Sequence, residues 1–393
     1  MDFKLSESQL MLRETIRSFV AKEIMPIAGK LDKDGEFPWH CIKKLAELGL
    51  FGVLLPPSYD GTGPERLGFF IALEEISKAS AGLALAVGTS IGLSNTILAA
   101  GNEEQKAKYL PSLAKGEKLG ATAATEPSGG ANFPFTLQST ARLDGEYYVL
   151  NGTKCFISNA GEADIYLVLA KTDPGKGPMG ISGFIVEKGT PGFSFGKEEQ
   201  KLGVRAEATR ELIFEDCRVP KANLLAKSFL MLMAIEVATT SLPSLGAIAV
   251  GVASAALNVA ADYIKQRTVT STKRLADLDV VQYIIADMAT KVEASRLLVY
   301  QTGCMSEEEP DLNKGLMSSI FPCETALEVT DKAAQIVGGY GYTTDLPLER
   351  YLRDARALVT IAQPMELRKL FLGKLMLDVL PIEPPGGTLL GWP

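Results

Sequence analysis

Between Gly120 and about Val219 the hydrophobic pattern of this chain changes period, and that change restricts the fold more than any other feature. Inside the window the apolar runs are short: Leu167–Ala170, Gly183–Val186 and Glu211–Phe214. Turn signals separate them, and Asp144-Gly145 and Asn151-Gly152 read as hairpin-type turns. Outside the window apolar residues recur at helical spacing. Ser6 and Gln9 have the form of a capping box, and helical stretches follow at Cys41–Leu48, Leu67–Ala79 and Glu103–Ala114. Beyond Pro220 the long helical stretches Leu278–Leu298 and Leu312–Ile336, the second with a kink expected at Pro322, suggest an antiparallel bundle. The reading is an α+β protein: a helical N-terminal domain (1–118), a central β-domain (119–220), a C-terminal helical bundle (221–380) and a loose Pro/Gly-rich tail (381–393).

Composition excludes several function classes. With 46% hydrophobic and 22% charged residues in 393, the chain can bury a large core. A formal charge of −7 argues against nucleic acid, which favours a basic face. Val237–Ala261 has no charge and the length of a membrane span, but it contains Pro243, two glycines and many small residues, so it reads as a packed core helix. Five scattered cysteines and a single histidine, His40, offer no metal-ligand spacing; buried reduced thiols are expected. The start, Met1-Asp2-Phe3-Lys4, lacks an apolar signal region, which predicts a cytoplasmic location.

No Gly-x-Gly-x-x-Gly follows a strand, so a Rossmann site has no support. Several short segments instead carry meaning as an ordered set. Thr125-Glu126-Pro127-Ser128-Gly129-Gly130 opens the β-domain, followed by Asn151-Gly152-Thr153-Lys154-Cys155-Phe156-Ile157-Ser158-Asn159-Ala160. Then come Lys201-Leu202-Gly203-Val204-Arg205, Phe214-Glu215-Asp216-Cys217-Arg218-Val219-Pro220, Gln335-Ile336-Val337-Gly338-Gly339 and Arg353-Asp354-Ala355. Over nearly the whole chain this set resembles the signature segments of acyl-CoA dehydrogenases.

The resemblance implies FAD between the β-domain and the C-terminal bundle, an acyl-CoA substrate, electron-transferring flavoprotein as redox partner, and a homotetramer. It implies that Thr125 and Ser158 contact the flavin ring and that Phe156 stands beside it. It places Arg267, Gln282 and Gln335 on the pyrophosphate and adenosine part of a neighbouring subunit's FAD, with Gly339 and Glu366 also at the cofactor. Taken singly, the hydroxyls could as well satisfy local turns, Phe156 could be core, and the three polar helix residues could be solvated. The helices around Gly246 and Gly251 suit close helix contacts, which also fits an oligomer.

Departures from the family pattern bear on the chemistry. Counting from Arg353-Asp354-Ala355-Arg356, the family's catalytic glutamate falls on Ala362, and the alternative base position of some members falls on Ser241. Neither alanine nor an unassisted serine is a useful base at neutral pH. An arginine next to the alternative base is Leu242, the Arg-x-x-Phe-Gly stretch has become Arg267-Thr268-Val269-Thr270-Ser271, an FAD-binding threonine is Pro364, and Ala131-Asn132 stands where Ser-Asp is common. Three readings stay open: acyl-CoA dehydrogenation with a relocated base, a related flavin reaction such as enoyl-CoA reduction, or a half-site subunit of a heteromer with a glutamate-bearing homologue. A purely scaffolding role is the alternative of a different class. Tyr340 and Glu236 could supply a base, although Tyr340 reads more simply as a packing residue and Glu236 as the partner of a nearby lysine or arginine.

Overall fold

The computed structural model describes residues 4–130, 133–305 and 311–379; the tail from 381 and the Ala131-Asn132 pair lie outside them. The chain forms helices α1 (Glu7–Phe19), α2 (Ala28–Asp34), α3 (Trp39–Glu47), α4 (Arg66–Ser77), α5 (Ala81–Ala100) and α6 (Glu103–Ala114) before its first strand. At the start of α1 the Ser6 hydroxyl accepts from the Gln9 amide at 3.2 Å, and the Gln9 side chain accepts from the Ser6 amide at 2.9 Å, closing the expected capping box. α5 is apolar nearly all round, and a helix of that composition must be enclosed by other elements.

Among the described residues eight strands follow: β1 (Gly120–Ala123), β2 (Thr140–Asp144), β3 (Tyr147–Ser158), β4 (Ile165–Lys171), β5 (Ile181–Glu187), β6 (Phe193–Glu198), β7 (Thr209–Pro220) and β8 (Leu224–Ala226), with a short helix α7 (Phe133–Thr136) after β1. Their order in the sheet is β6-β7-β3-β2-β4-β5-β8, with β1 parallel to β4. The Asp144-Gly145 turn joins β2 to β3, Gly145 at φ +59°, as expected. Asn151-Gly152 is not a turn. It lies within β3, where the register against β7 slips between Leu150 and Gly152. β3 is paired on both edges, and that pairing overrides the local turn preference, leaving a bulge with Gly152 at φ +147°.

The C-terminal part opens with α8 (Leu230–Glu236), which runs through a π-helical turn (Val237–Ser241) into α9 (Leu242–Gln266). Then come α10 (Asp279–Gly303), α11 (Leu312–Val337), α12 (Gly339–Tyr342), α13 (Leu348–Leu358) and α14 (Met365–Met376). α11 passes Pro322 as one element. Among the described residues two helices, Ala81–Ala100 and Leu232–Gln266, are long and apolar enough to cross a membrane by composition, and both are mostly enclosed by the fold. The close approaches at Gly246 and Gly251 are made inside the chain. A Cβ on Gly246 would lie 1.9 Å from the Ser318 carbonyl oxygen, and one on Gly251 2.0 Å from Ser77 Oγ. These glycines therefore seat α9 on α11 and α4.

Charged ties lock the three parts together. Arg353 on α13 donates to both oxygens of Asp32 on α2, at 3.1 and 2.6 Å, and to the Leu202 carbonyl at 2.9 Å. Next to it, Asp354 accepts from the Val204 amide at 2.6 Å. Arg296 and Tyr300 on α10 both donate to Glu74 on α4, at 3.0 and 2.9 Å. Cys41, Cys155, Cys217 and Cys323 are buried free thiols, whereas Cys304 is exposed, against expectation, because it caps α10 at the surface.

Candidate active site

One cavity of about 230 Å³ lies where the sheet, α5, the α8–α9 junction and the loop before α14 meet. The segment after β1 contributes Thr125 and β3 contributes Phe156 and Ser158, three of the residues singled out from sequence. Their backbone is rigid for a reason that can be traced. Lys154, fully buried, donates to Glu126 at 2.7 Å, and Glu126 also accepts from the amides of Ser139, at 3.0 Å, and Gln138. Burial alone would raise the Glu126 pKa; Lys154 and these donors outweigh it and hold the carboxyl below its ordinary value. A second register slip in β3, between Lys154 and Ile157, puts Phe156 at φ +57°. Phe156 is 64% exposed, unusual for a large aromatic residue.

The loop between α13 and α14 forms the opposite wall with Ile361, Ala362 and Gln363. Arg368, wholly buried, fixes it by donating to the carbonyls of Leu358 (3.1 Å), Ile361 (2.6 Å) and Gln363 (2.9 Å). Ala362 sits at φ +65°. No carboxylate comes from this loop.

The third wall holds Glu236 and Ser241, five residues apart. The Ser241 hydroxyl lies 3.0 and 2.9 Å from the two Glu236 oxygens. A Cβ on Gly92 of α5 would meet Glu236 Oε1 at 3.5 Å, so the carboxyl faces α5 across a gap that glycine leaves open. Burial pushes the Glu236 pKa up to about 7 against the Ser241 bond, which lowers it. The expectation of a lysine or arginine partner is thus corrected: the π turn rotates Glu236 inward, away from such a partner. Nothing in the α-helical spacing of the sequence signals this. Five residues of α-helix amount to a net rotation of about 140°, which would set Glu236 and Ser241 on different faces. In a π turn a residue bonds five positions on and the two side chains meet.

The remaining predicted residues lie elsewhere. Arg267, Gln282, Gln335, Gly339 and Glu366 are exposed on the chain and do not line the cavity; Gln282 donates to the Ala276 carbonyl at 3.0 Å. Tyr340 is also outside it, its exposed ring 6.0 Å from that of Tyr263. Among the described residues no cluster suited to a metal ion occurs. The cavity does suit a flavin ring. Thr125 and Ser158 present hydroxyls with no hydrogen-bond partner among the described residues, and Phe156 offers an uncovered aromatic face beside them.

Comparison with known proteins agrees across the chain. Residues 6–117, 121–217 and 231–368 match the N-terminal, middle and C-terminal domains of acyl-CoA dehydrogenase. An acyl-CoA dehydrogenase of Bacillus subtilis is 43% identical, over 95% of this chain and 99% of that one. An acryloyl-CoA reductase (NADH) of Anaerotignum propionicum is 41% identical, over 95% of each. The solved butyryl-CoA dehydrogenase of Megasphaera elsdenii superposes with a TM-score of 0.93 at 36% identity, covering 96% of this chain and all of that one. Helical flanks, a central sheet with unpartnered hydroxyls at its end, and matches to all three domains place the chain in the acyl-CoA dehydrogenase family of FAD-dependent oxidoreductases.

Proposed function

We propose that this chain oxidises or reduces an acyl-CoA thioester at its α,β carbons with FAD, using a proton-transferring group displaced from the family's usual loop. The observation that carries this reading is the shared cavity: Thr125, Phe156 and Ser158 on one side, Ala362 and Ser241 on the others, line a single space. Thr125 and Ser158 would hold the flavin ring through their free hydroxyls, with Phe156 against it. When bound, FAD supplies the two-electron chemistry; the protein supplies position and polar contacts. The substrate's acyl chain would lie along α5, where Gly88 and Gly92 leave the wall open.

Arg267, Gln282 and Gln335 serve in this reading a neighbouring subunit's FAD, which accounts for their exposure on a single chain. Val280, Tyr283 and Tyr342, 63%, 74% and 91% exposed, lie near them in sequence and supply apolar surface for that contact. A homotetramer with electron-transferring flavoprotein as redox partner is the corresponding assembly. The 41% identity to an acryloyl-CoA reductase favours, as a second reading, the reductive direction on an enoyl-CoA.

The test is direct. Purified protein should carry noncovalent FAD, and its flavin spectrum should shift on adding a CoA thioester. Arg267→Ala should weaken FAD by about 1.5–3 kcal/mol, the range for a hydrogen bond to a charged group. A folded protein that takes up no FAD at high micromolar concentration overturns the proposal.

A further inference from the structure

We infer that Glu236 is the group that exchanges a proton with the substrate carbon next to the thioester carbonyl, and that Ser241 positions it. The inference rests on the acyl-CoA reading above and adds to it the identity of the acid–base residue.

The geometry leads to Glu236 by several independent facts. Among the described residues lining the cavity it is the one with a titratable side chain; α5 contributes Gly88, Thr89, Gly92 and Thr96, the sheet and the segment after β1 Thr122, Thr125 and Ser158, and the loop before α14 Ala362 and Gln363, none of which titrates near neutrality. Among the described residues no lysine or arginine pairs with it, so its carboxylate is not committed to an ion pair there. Its one hydrogen-bond partner among the described residues is Ser241 Oγ, which touches both oxygens. The carboxyl therefore occupies space within one hydrogen bond of the residue-241 side chain, where a longer acidic side chain at 241 would put its own oxygens. Serine at 241 and glutamate at 236 together deliver a carboxyl to the cavity that neither delivers alone. The π turn Val237–Ser241 is the backbone device that makes it possible, and such turns recur at functional sites. An isolated acid in a half-buried apolar wall is also a costly feature with no structural return, since nothing in the fold depends on its charge. A proton affinity near neutrality is the value a general base working near pH 7 needs.

In the oxidative direction the C–H bond at the α-carbon breaks, its electron pair stays with the substrate as an enolate of the thioester, and the proton passes to a Glu236 oxygen to give the carboxylic acid. In the reductive direction the same proton returns to that carbon. The step needs no redox partner of its own, so it can be followed as exchange of the α-hydrogen with heavy water. Ser241 donates its hydroxyl to the ionised form and so keeps the carboxylate available at a lower pH than burial would allow.

The experiment uses the FAD-loaded enzyme with butyryl-, isobutyryl- and octanoyl-CoA. Wild type should exchange the α-hydrogen of at least one. Glu236→Gln should retain FAD and bind the same thioester with a similar flavin spectral shift, but exchange 10²–10⁴-fold more slowly. Glu236→Asp should recover part of the rate. Ser241→Ala should move the acid limb of the exchange–pH profile upward while keeping most of the limiting rate, a displacement that simple loss of packing would not produce. Independently of turnover, pH-difference infrared spectra should contain a carboxyl titrating near pH 7 that is absent from Glu236→Gln and shifted upward in Ser241→Ala. Exchange by Glu236→Gln at the wild-type rate overturns the inference while leaving the acyl-CoA reading intact. So does a Glu236→Gln variant that needs far more thioester for half-saturation yet exchanges at the wild-type limiting rate, because Glu236 would then bind the acyl group without moving its proton. A wild-type enzyme that binds FAD but none of the thioesters overturns the acyl-CoA reading and this inference with it.

Discussion

Glu236 destabilises the fold at the pH where it would work, and that gives a prediction separate from catalysis. Its folded pKa of about 7 lies above the ordinary 4.5, so the folded state binds the proton more tightly than the unfolded one. The stability this confers is complete below pH 4.5 and is lost as pH rises through 7. Glu236→Gln should therefore be more stable than wild type well above pH 7 by roughly 3 kcal/mol, for a rise from 4.5 to about 7 at 1.36 kcal/mol per pKa unit, with the gap closing in acid. Denaturant titrations at two pH values measure it; equal stability at both would show that Glu236 is not held in an apolar wall. Lys154 is the opposite case, a buried charge that the site's scaffold depends on. Lys154→Met would leave Glu126 buried without its counter-ion and should cost about 3–5 kcal/mol. A loss under 1 kcal/mol would mean that the two backbone donors to Glu126 suffice.

At the scale of elements, the glycines of the C-terminal part sort by what they face. Gly246 of α9 is pressed against the Ser318 carbonyl of α11, so Gly246→Ala must push two core helices apart and should cost at least about 1–3 kcal/mol. Gly373 in α14 meets nothing within 4 Å, and Gly373→Ala should instead stabilise by about 0.5–1 kcal/mol through helix propensity alone. Thermal melts of the two variants should move in opposite directions. The buried Arg368 shows how one side chain can define an element that has no regular structure. Its three carbonyl acceptors hold the 358–363 loop in the shape that brings Ala362 to the cavity.

For the whole molecule, the proposed assembly makes FAD retention and subunit association a single property. Tyr283→Asp places a charge on the exposed surface near Gln282, and it should both weaken association in sedimentation and lower FAD content after dialysis. A variant that dissociates yet keeps full FAD would separate the two and remove the cross-subunit role of Arg267, Gln282 and Gln335. The order of helical, β and helical regions was legible in the sequence because period-2 and period-3.6 patterns are local, as were the Ser6–Gln9 cap and the Asp144-Gly145 hairpin. So was the absence of a carboxylate at Ala362 and Ser241, which needs only the residue identities. The tertiary structure alone decided that Asn151-Gly152 is a bulge, because two neighbouring strands claim the backbone a turn would use. It alone decided that Gly246 and Gly251 pack within the chain. It also decided that Glu236 turns inward to Ser241, since a helix switches from α to π bonding under the packing of distant elements, and burial by those same elements sets the proton affinity of the acid it exposes.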